Sequence, residues 1–430
     1  MVNLHTHSMF SLRDSIIRPE DFVERLQEIG QNAVAITDHG GSLGGVTLYQ
    51  TLKASGIRYI HGCEFYICDD TSVRDKNNKY CHLIALCKNE TGRVNLNTLI
   101  SMSEHPSRKY FKPRIDFELL SQHKDGLIIM SACLAGEVSK AILSGDYDHA
   151  VEIARKYQTL MGEDYYLEVQ SHMDADQIVV NSQILQIADQ LHIPCVVTTD
   201  AHYARLEDRK YQNKYAFNGS YKEDGEAYMD CYLQSEQDVR RNLPYLSPEV
   251  VDSLIQNTEL VAAKCQAEIA LSAPIMPRVQ TPPEYHSNAE WLEVLCKRGF
   301  ASKLNIDLDT HTIVDASRML HRSVLDENGE EIGVEEYQLT SEQIEKYIDR
   351  YHYELNALVK MGFVDYILLV YSYANVGKRR GIARGSGGGS LINYLTNITN
   401  IDPIEHGLYF ERFIDVGALD RLASGEITAK

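Results

Sequence analysis

The chain has 430 residues, of which 42 are basic and 61 acidic, a formal net charge of −19, and it is long enough for two or three domains with ample cores. That acidity excludes broad electrostatic adhesion to nucleic acid, which needs lysine and arginine to displace counterions. No run approaches membrane-spanning length, the amino terminus lacks a basic-then-apolar signal, and nine scattered cysteines without a C-x-x-C pair fit a reducing cytosol, so a soluble cytoplasmic protein is expected.

Val2-Asn3-Leu4-His5-Thr6-His7 opens the chain with two histidines two apart, and on an extended strand both project from one face. Asp14 follows. Pro19 to Ile29 reads as a helix, and Ala33-Val34-Ala35-Ile36-Thr37 as a buried strand running straight into the loop Asp38-His39-Gly40-Gly41. Tyr59-Ile60 leads to Glu64, while His82 stands at the start of the apolar run Leu83-Ile84-Ala85-Leu86. Leu127-Ile128-Ile129-Met130 leads to Cys133. Helical stretches from Ala150 to Leu160 and from Ile178 to Leu191 precede Ile193-Pro194-Cys195-Val196-Val197, which leads to Asp200 and His202. Strand alternating with helix predicts a parallel sheet, and enough repeats predict a closed barrel whose chemistry lies on loops at the carboxyl ends of its strands.

Val250 to Ile269 has apolar residues at helical spacing and reads as a closing helix. Ser272-Ala273-Pro274-Ile275-Met276-Pro277 and Thr281-Pro282-Pro283 are proline-rich punctuation, which sets the expected domains at 1–275 and 276–430. Residues 284 to about 380 read as mostly helical and charged, with a polar, looped patch from 305 to 339. Ile367 to Val376 reads as an apolar helix ending in Lys378-Arg379-Arg380. The glycine-rich stretch from Gly381 to Ser390 then feeds a helix over Leu391 to Leu395. Backbone amides converge at such a junction and suit a phosphate, although a flexible turn is its commoner meaning.

Nine of these side chains form an ordered set of metal-ligand types: His5, His7, Asp14, His39, Glu64, His82, Cys133, Asp200 and His202. Any one alone is ordinary, since a lone histidine is usually a surface or hydrogen-bonded residue and a lone cysteine a small apolar one. The set is specific. Imidazole, carboxylate and thiolate suit zinc, and without the thiol manganese. Lys112, Arg114 and Arg205 lie near ligand loops in sequence and are candidate contacts for phosphate, against the plain reading of a solvated side chain.

His5-Thr6-His7-Ser8-x-x-Ser11-Leu12-x-Asp14, Thr37-Asp38-His39-Gly40 and Gly62-Cys63-Glu64 resemble the signatures of a polymerase-and-histidinol-phosphatase (PHP) domain, of the kind that opens the alpha subunit of bacterial C-family replicative DNA polymerases. Lys112-Pro113-Arg114-Ile115-Asp116, Thr199-Asp200-Ala201-His202-Tyr203, Met361-Gly362-Phe363-x-x-Tyr366, Arg384-Gly385-Ser386 and Ile401-Asp402-Pro403 resemble the same family. The resemblance implies an α/β fold, a distorted (β/α)7 barrel followed by a mostly helical, mixed partial palm region. It implies three divalent metal ions, zinc, manganese or iron. His5, His7, Glu64 and Asp200 would hold the first. Glu64 would bridge to a second, completed by His82 and Cys133, while Asp14, His39 and His202 would hold the third. Asp14, His39, Glu64 and His202 would be catalytic. Some family members with intact sets act as 3′–5′ exonucleases.

The resemblance also implies that Arg384, Gly385, Ser386 and Ser390 contact the phosphates of an incoming nucleotide, although several residues of the usual valine-glycine-proline-glycine stretch upstream are missing. The family's alternating aspartates for magnesium do not follow Phe410-Glu411-Arg412-Phe413, where only Asp415 and Asp420 stand. Polymerisation is therefore not expected of this stretch. The implied partners are DNA, as a primer terminus or a single strand, the remainder of a polymerase chain, and a sliding clamp or other replisome proteins, with no membrane. Three readings stand at this point: an active phosphoesterase domain of a C-family polymerase, the same domain as a silent metal-binding scaffold, and a separate small-molecule phosphatase.

Overall fold

Short β-branched and apolar runs build the core of the first unit. Ala33–Ile36 (β1), Leu127–Met130 (β5) and Cys195–Thr198 (β7) are buried at every position, as strands covered on both faces must be. With Arg58–Cys68 (β2), Cys81–Cys87 (β3), Arg114–Asp116 (β4) and Tyr165–Gln170 (β6) they form one sheet in the order β1-β2-β3-β5-β6-β7, β4 pairing with β2. The structure, a computed structural model, describes residues 1–76, 80–216, 230–270, 275–328, 330–376, 381–383, 385–418 and 421.

The amino-terminal segment closes this sheet. Ala35 N donates to Asn3 O at 2.9 Å and Thr37 N to Thr6 O at 2.9 Å, while His7 N donates to Ala201 O at 2.8 Å. Residues 3–7 thus lie between β1 and the chain just past β7, although they pair only as isolated bridges and form no regular strand of their own. The α/β barrel class holds, but its sheet is mixed. β3 runs antiparallel to both β2 and β5, whereas β1–β2, β5–β6 and β6–β7 are parallel. The expectation of a parallel sheet fails at β3 because the described residues between β2 and β3 contain no crossover helix, and a strand returning without one pairs antiparallel.

Helices Pro19–Glu28 (α1), Gly45–Ala54 (α2), Glu90–Ser103 (α3), Phe117–Gln122 (α4), Glu137–Leu143 (α5), Tyr147–Met161 (α6), Ala175–Leu191 (α7), Arg209–Ala216 (α8), Glu236–Asn242 (α9) and Pro248–Lys264 (α10) complete this unit. Several begin where a side chain satisfies an otherwise orphaned amide: Asn89, Asp116, Asp146 and Asp174 cap α3, α4, α6 and α7. α10 stops short of the expected Ile269, because Gln266 N leaves the helix path to donate to Lys88 O at 2.6 Å. Gly92 is required where α3 starts against the turn before β5, since a Cβ there would lie 1.9 Å from Gly126 O.

The chain divides into two compact units, Met1–Ala270 and Leu271–Lys430. The second contains helices Asn288–Gly299 (α11), Ser341–Lys360 (α12), Val364–Ala374 (α13) and Leu391–Leu395 (α14). The polar patch from 305 to 339 is not loop but two antiparallel pairs, Ile306–Asp307 (β8) with Thr312–Ile313 (β9) and Leu320–Leu325 (β10) with Glu331–Tyr337 (β11). Cross-strand pairs His321–Glu336 and Arg322–Glu335 bind the longer hairpin. Leu292, Phe300, Ile344, Leu358, Ile367 and Leu391 lie in the core of this unit. No single described helix is long and apolar enough to cross a membrane.

One buried charge organises this second core. Glu354 of α12 is fully buried and accepts the Leu391 and Ile392 amides at 2.9 and 3.1 Å, the Ser390 hydroxyl at 2.8 Å and Arg350 Nε at 2.7 Å. It therefore satisfies the start of α14 from a different helix. Burial pushes its carboxyl above the usual range, against the pull of those donors.

Candidate metal centre

All nine ligand-type side chains converge at one end of the barrel. His5 Nε2 and His7 Nε2 each lie 3.2 Å from Asp200 Oδ1, and they approach the two oxygens of Glu64 at 3.4 and 3.6 Å. On the other side of Glu64, Oε1 is 2.9 Å from His82 Nδ1 and 3.9 Å from Cys133 Sγ, with Cys133 Sγ 3.6 Å from His82 Nδ1. Asp14 Oδ2 stands 2.5 Å from His39 Nε2 and 3.6 Å from His202 Nε2, and His39 Nδ1 is 2.5 Å from Glu64 Oε2. Three triads, His5/His7/Asp200, His7/His39/His202 and His39/Glu64/His82, bring their ligand atoms within 4.8 Å of one another.

The donor set fits divalent ions. His5 Nε2 and His7 Nε2 are buried, point into the cluster and make no hydrogen bond, a costly arrangement unless something else ligates them, while His39 Nδ1 and Glu64 Oε2, also buried, face each other at 2.5 Å. Burial lowers His7 to about 3, helped by His39 and His202 nearby. Against the same burial, Glu64 and Asp14 hold His39 up at about 10. Glu64 and Asp200 overcome burial to lie well below the usual carboxylate range, the first beside His82 and His39, the second beside His5 and His202. Ligation at rings that carry protons must displace those protons.

A second layer, not read from the sequence, orients these ligands. Asp38 accepts Ser8 N and Ser8 Oγ at 2.7 Å each and Ser11 Oγ at 2.8 Å. The same Ser11 oxygen lies 3.1 Å from His7 Nδ1 and accepts His39 N at 3.2 Å. With its proton on Asp38, Ser11 accepts from His7 Nδ1 and leaves Nε2 free to ligate. Glu168, a lone carboxylate within the buried run Tyr165–Gln170, reaches His5 Nδ1 at 3.0 Å. Its only signal in the sequence is a charge in an apolar strand.

Residues 3–172 match the PHP domain family, and residues 318–419 match the bacterial DNA polymerase III alpha NTPase domain. The chain carries a PHP domain joined to a segment of the DNA polymerase III alpha family. DNA polymerase III subunit alpha of Treponema pallidum is 34% identical over 429 residues, covering 96% of this chain and 33% of that protein. The corresponding subunit of Borreliella burgdorferi is 30% identical, covering 96% of this chain and 34% of its own length. The chain thus spans about a third of the length of these curated relatives. Among solved structures, a two-domain protein from Bacteroides vulgatus containing a predicted PHP-like metal-dependent phosphoesterase aligns with a TM-score of 0.31 at 14% identity, over 47% of this chain and 51% of that one.

The cations expected at the mouth of the PHP site behave differently from one another. Arg114 is fully buried and donates to the Arg108, Val73 and Thr71 carbonyls at 3.0, 3.0 and 2.7 Å. It is a structural clamp under the loops and is withdrawn as a DNA contact. Arg205 is paired with Glu28 and lies 3.6 Å from Glu24. Lys112 is exposed, with Nζ 5.3 Å from the centre of the Tyr66 ring, which itself packs 5.3 Å from His82 and 5.8 Å from His39. Of the three, Lys112 alone is exposed.

In the polymerase segment, Gly385–Gly389 forms a 3-10 turn, and Gly385 and Ser386 line an open cleft with Tyr366, Asn393 and Phe413. Gly385 takes φ +67°, a conformation that suits glycine. Ser390 is corrected. It is fully buried, donates to Glu354 and caps α14 by accepting Asn393 N, so its hydroxyl faces the core. Arg384, the cationic run 378–380 and Asp420 lie outside the described residues. The apolar helix expected from Ile367 to Val376 runs from Val364 to Ala374.

Proposed function

We propose that the PHP domain is a metal-dependent phosphodiesterase that shortens DNA from its 3′ end, within the amino-terminal region of a C-family replicative polymerase. One observation carries this reading: nine ligand-type side chains meet, with the buried Nε2 atoms of His5 and His7 left without hydrogen bonds and aimed inward. These residues would hold divalent ions of the zinc or manganese class, which would supply a water of lowered pKa and neutralisation of charge on the attacked phosphate and the leaving oxygen. The chain's own part is to hold the ligands rigid. Ser11 and Asp38 fix His7, Glu64 stands between two ligand groups, and Asp14 joins His39 to His202.

Cations held at the centre would reverse the local sign, so an acidic chain could still admit a phosphate. Lys112, exposed beside Tyr66, is placed to meet a backbone phosphate. DNA as a primer terminus or single strand, the rest of the polymerase, a clamp or other replisome proteins, and a cytoplasmic setting belong to the same proposal.

Asp14→Asn tests it with a generic diester. Metal content and hydrolysis of bis(p-nitrophenyl) phosphate are expected to fall together, the rate by about 100-fold or more, since even outer-layer partners of metal ligands contribute on that scale. Undiminished hydrolysis at reduced metal content would remove Asp14 and its histidines from the reacting site.

A further inference from the structure

Glu168 is fully buried in β6, and each of its oxygens serves a different part of the metal centre. Oε2 lies 3.0 Å from His5 Nδ1 and also accepts the Thr198 hydroxyl at 2.7 Å. Oε1 accepts the Ala132 amide at 2.7 Å, and the Glu168 amide donates to Ser131 Oγ at 2.8 Å. Ala132 sits at φ +64°, left-handed backbone that a residue with a Cβ adopts only under constraint, and it immediately precedes Cys133.

A neutral imidazole carries one proton, and the ring nitrogen facing an acceptor is the one that keeps it. With Glu168 at Nδ1, the His5 lone pair falls on Nε2, which faces Asp200 and Glu64. We propose that Glu168 is a positioning residue coupling the two halves of the centre, one oxygen aiming His5 at the first ion and the other holding the left-handed turn that delivers Cys133 to the second. This rests on the metal-centre reading above.

Glutamine separates the two tasks. Its carbonyl can still accept the Ala132 amide, while its amide nitrogen confronts Nδ1 and drives the His5 proton onto Nε2. The test is titration of the metal-free full chain with cobalt(II), following the thiolate-to-cobalt charge-transfer band from Cys133, total bound metal and the circular-dichroism melt. Glu168→Gln is expected to bind one ion about 10–100-fold more weakly while the thiolate band keeps its intensity. Glu168→Ala is expected to lose that band as well. Thr198→Val, which removes one hydrogen bond to the same oxygen at an apolar strand position, is expected to weaken the same ion by less and serves if Glu168→Gln does not fold. Wild-type stoichiometry and affinity in Glu168→Gln, or in Thr198→Val where that variant stands in, would overturn the inference alone. A wild-type chain that binds no cobalt would overturn the metal centre beneath it.

Discussion

Glu64→Gln is expected to strip the centre of most of its metal and reduce diester hydrolysis to background, with the fold intact. Glu64 is fully buried, and its two oxygens approach ligand atoms of His5, His7, His39, His82 and Cys133. A carboxylate in that position can serve two ions at once. An amide offers one acceptor, and its NH2 turns a donor toward the ions it should ligate. Loss of an outer-layer partner costs roughly 10–100-fold in affinity, so loss of a shared primary ligand should exceed that. Inductively coupled plasma analysis after dialysis, beside a thermal melt, reads the effect. Three ions retained at wild-type affinity would show that Glu64 does not bridge.

Glu354→Ala should destabilise the unit from 271 to 430 by about 3–5 kcal/mol, the cost of breaking a buried charged pair. The substitution leaves Arg350 Nε, the Ser390 hydroxyl and the Leu391 and Ile392 amides without their shared acceptor. Each of the two amides and the hydroxyl is buried, so water does not replace the lost partner without opening the core. Denaturant unfolding of the full chain, followed by the fluorescence of Trp291 in α11, isolates this unit because Trp291 is the chain's single tryptophan. The metal content of the PHP domain is expected to stay unchanged. A midpoint equal to that of the wild type would mean that α14 is held by apolar packing alone.

The convergence of the nine ligand-type residues was legible because each is a chemically distinctive residue next to an apolar run, and the order of those runs survives into the fold. Helices α1, α6 and α7 were legible from their periodicity, with bounds moved by a few residues where caps such as Asp146 and Asp174 start the turn. The antiparallel course of β3 was not legible, since direction depends on how residues 69–80 connect the strands, and a strand's own composition does not encode it. The hairpin of β10 and β11 was missed for a different reason. Residues from Glu331 to Glu336 are exposed on both faces, so no apolar alternation marks them. Arg114 misled because three carbonyls, those of Thr71 and Val73 in one loop and of Arg108 in another, make a buried home for a cation that sequence proximity places at the surface. Glu168 was silent because a carboxylate two strands away from its histidine has no spacing to betray it.

The most direct test of the hydrolytic reading is cleavage of single-stranded DNA labelled at the 5′ end, by the purified chain with manganese or zinc. His5→Ala/His7→Ala and EDTA serve as controls, because these two rings share Asp200 at 3.2 Å. The expected result is a ladder of labelled products shortening stepwise from the 3′ end, absent with EDTA and absent in the double variant. Intact DNA from a protein that carries its full metal complement would contradict the account and leave the cluster a structural one.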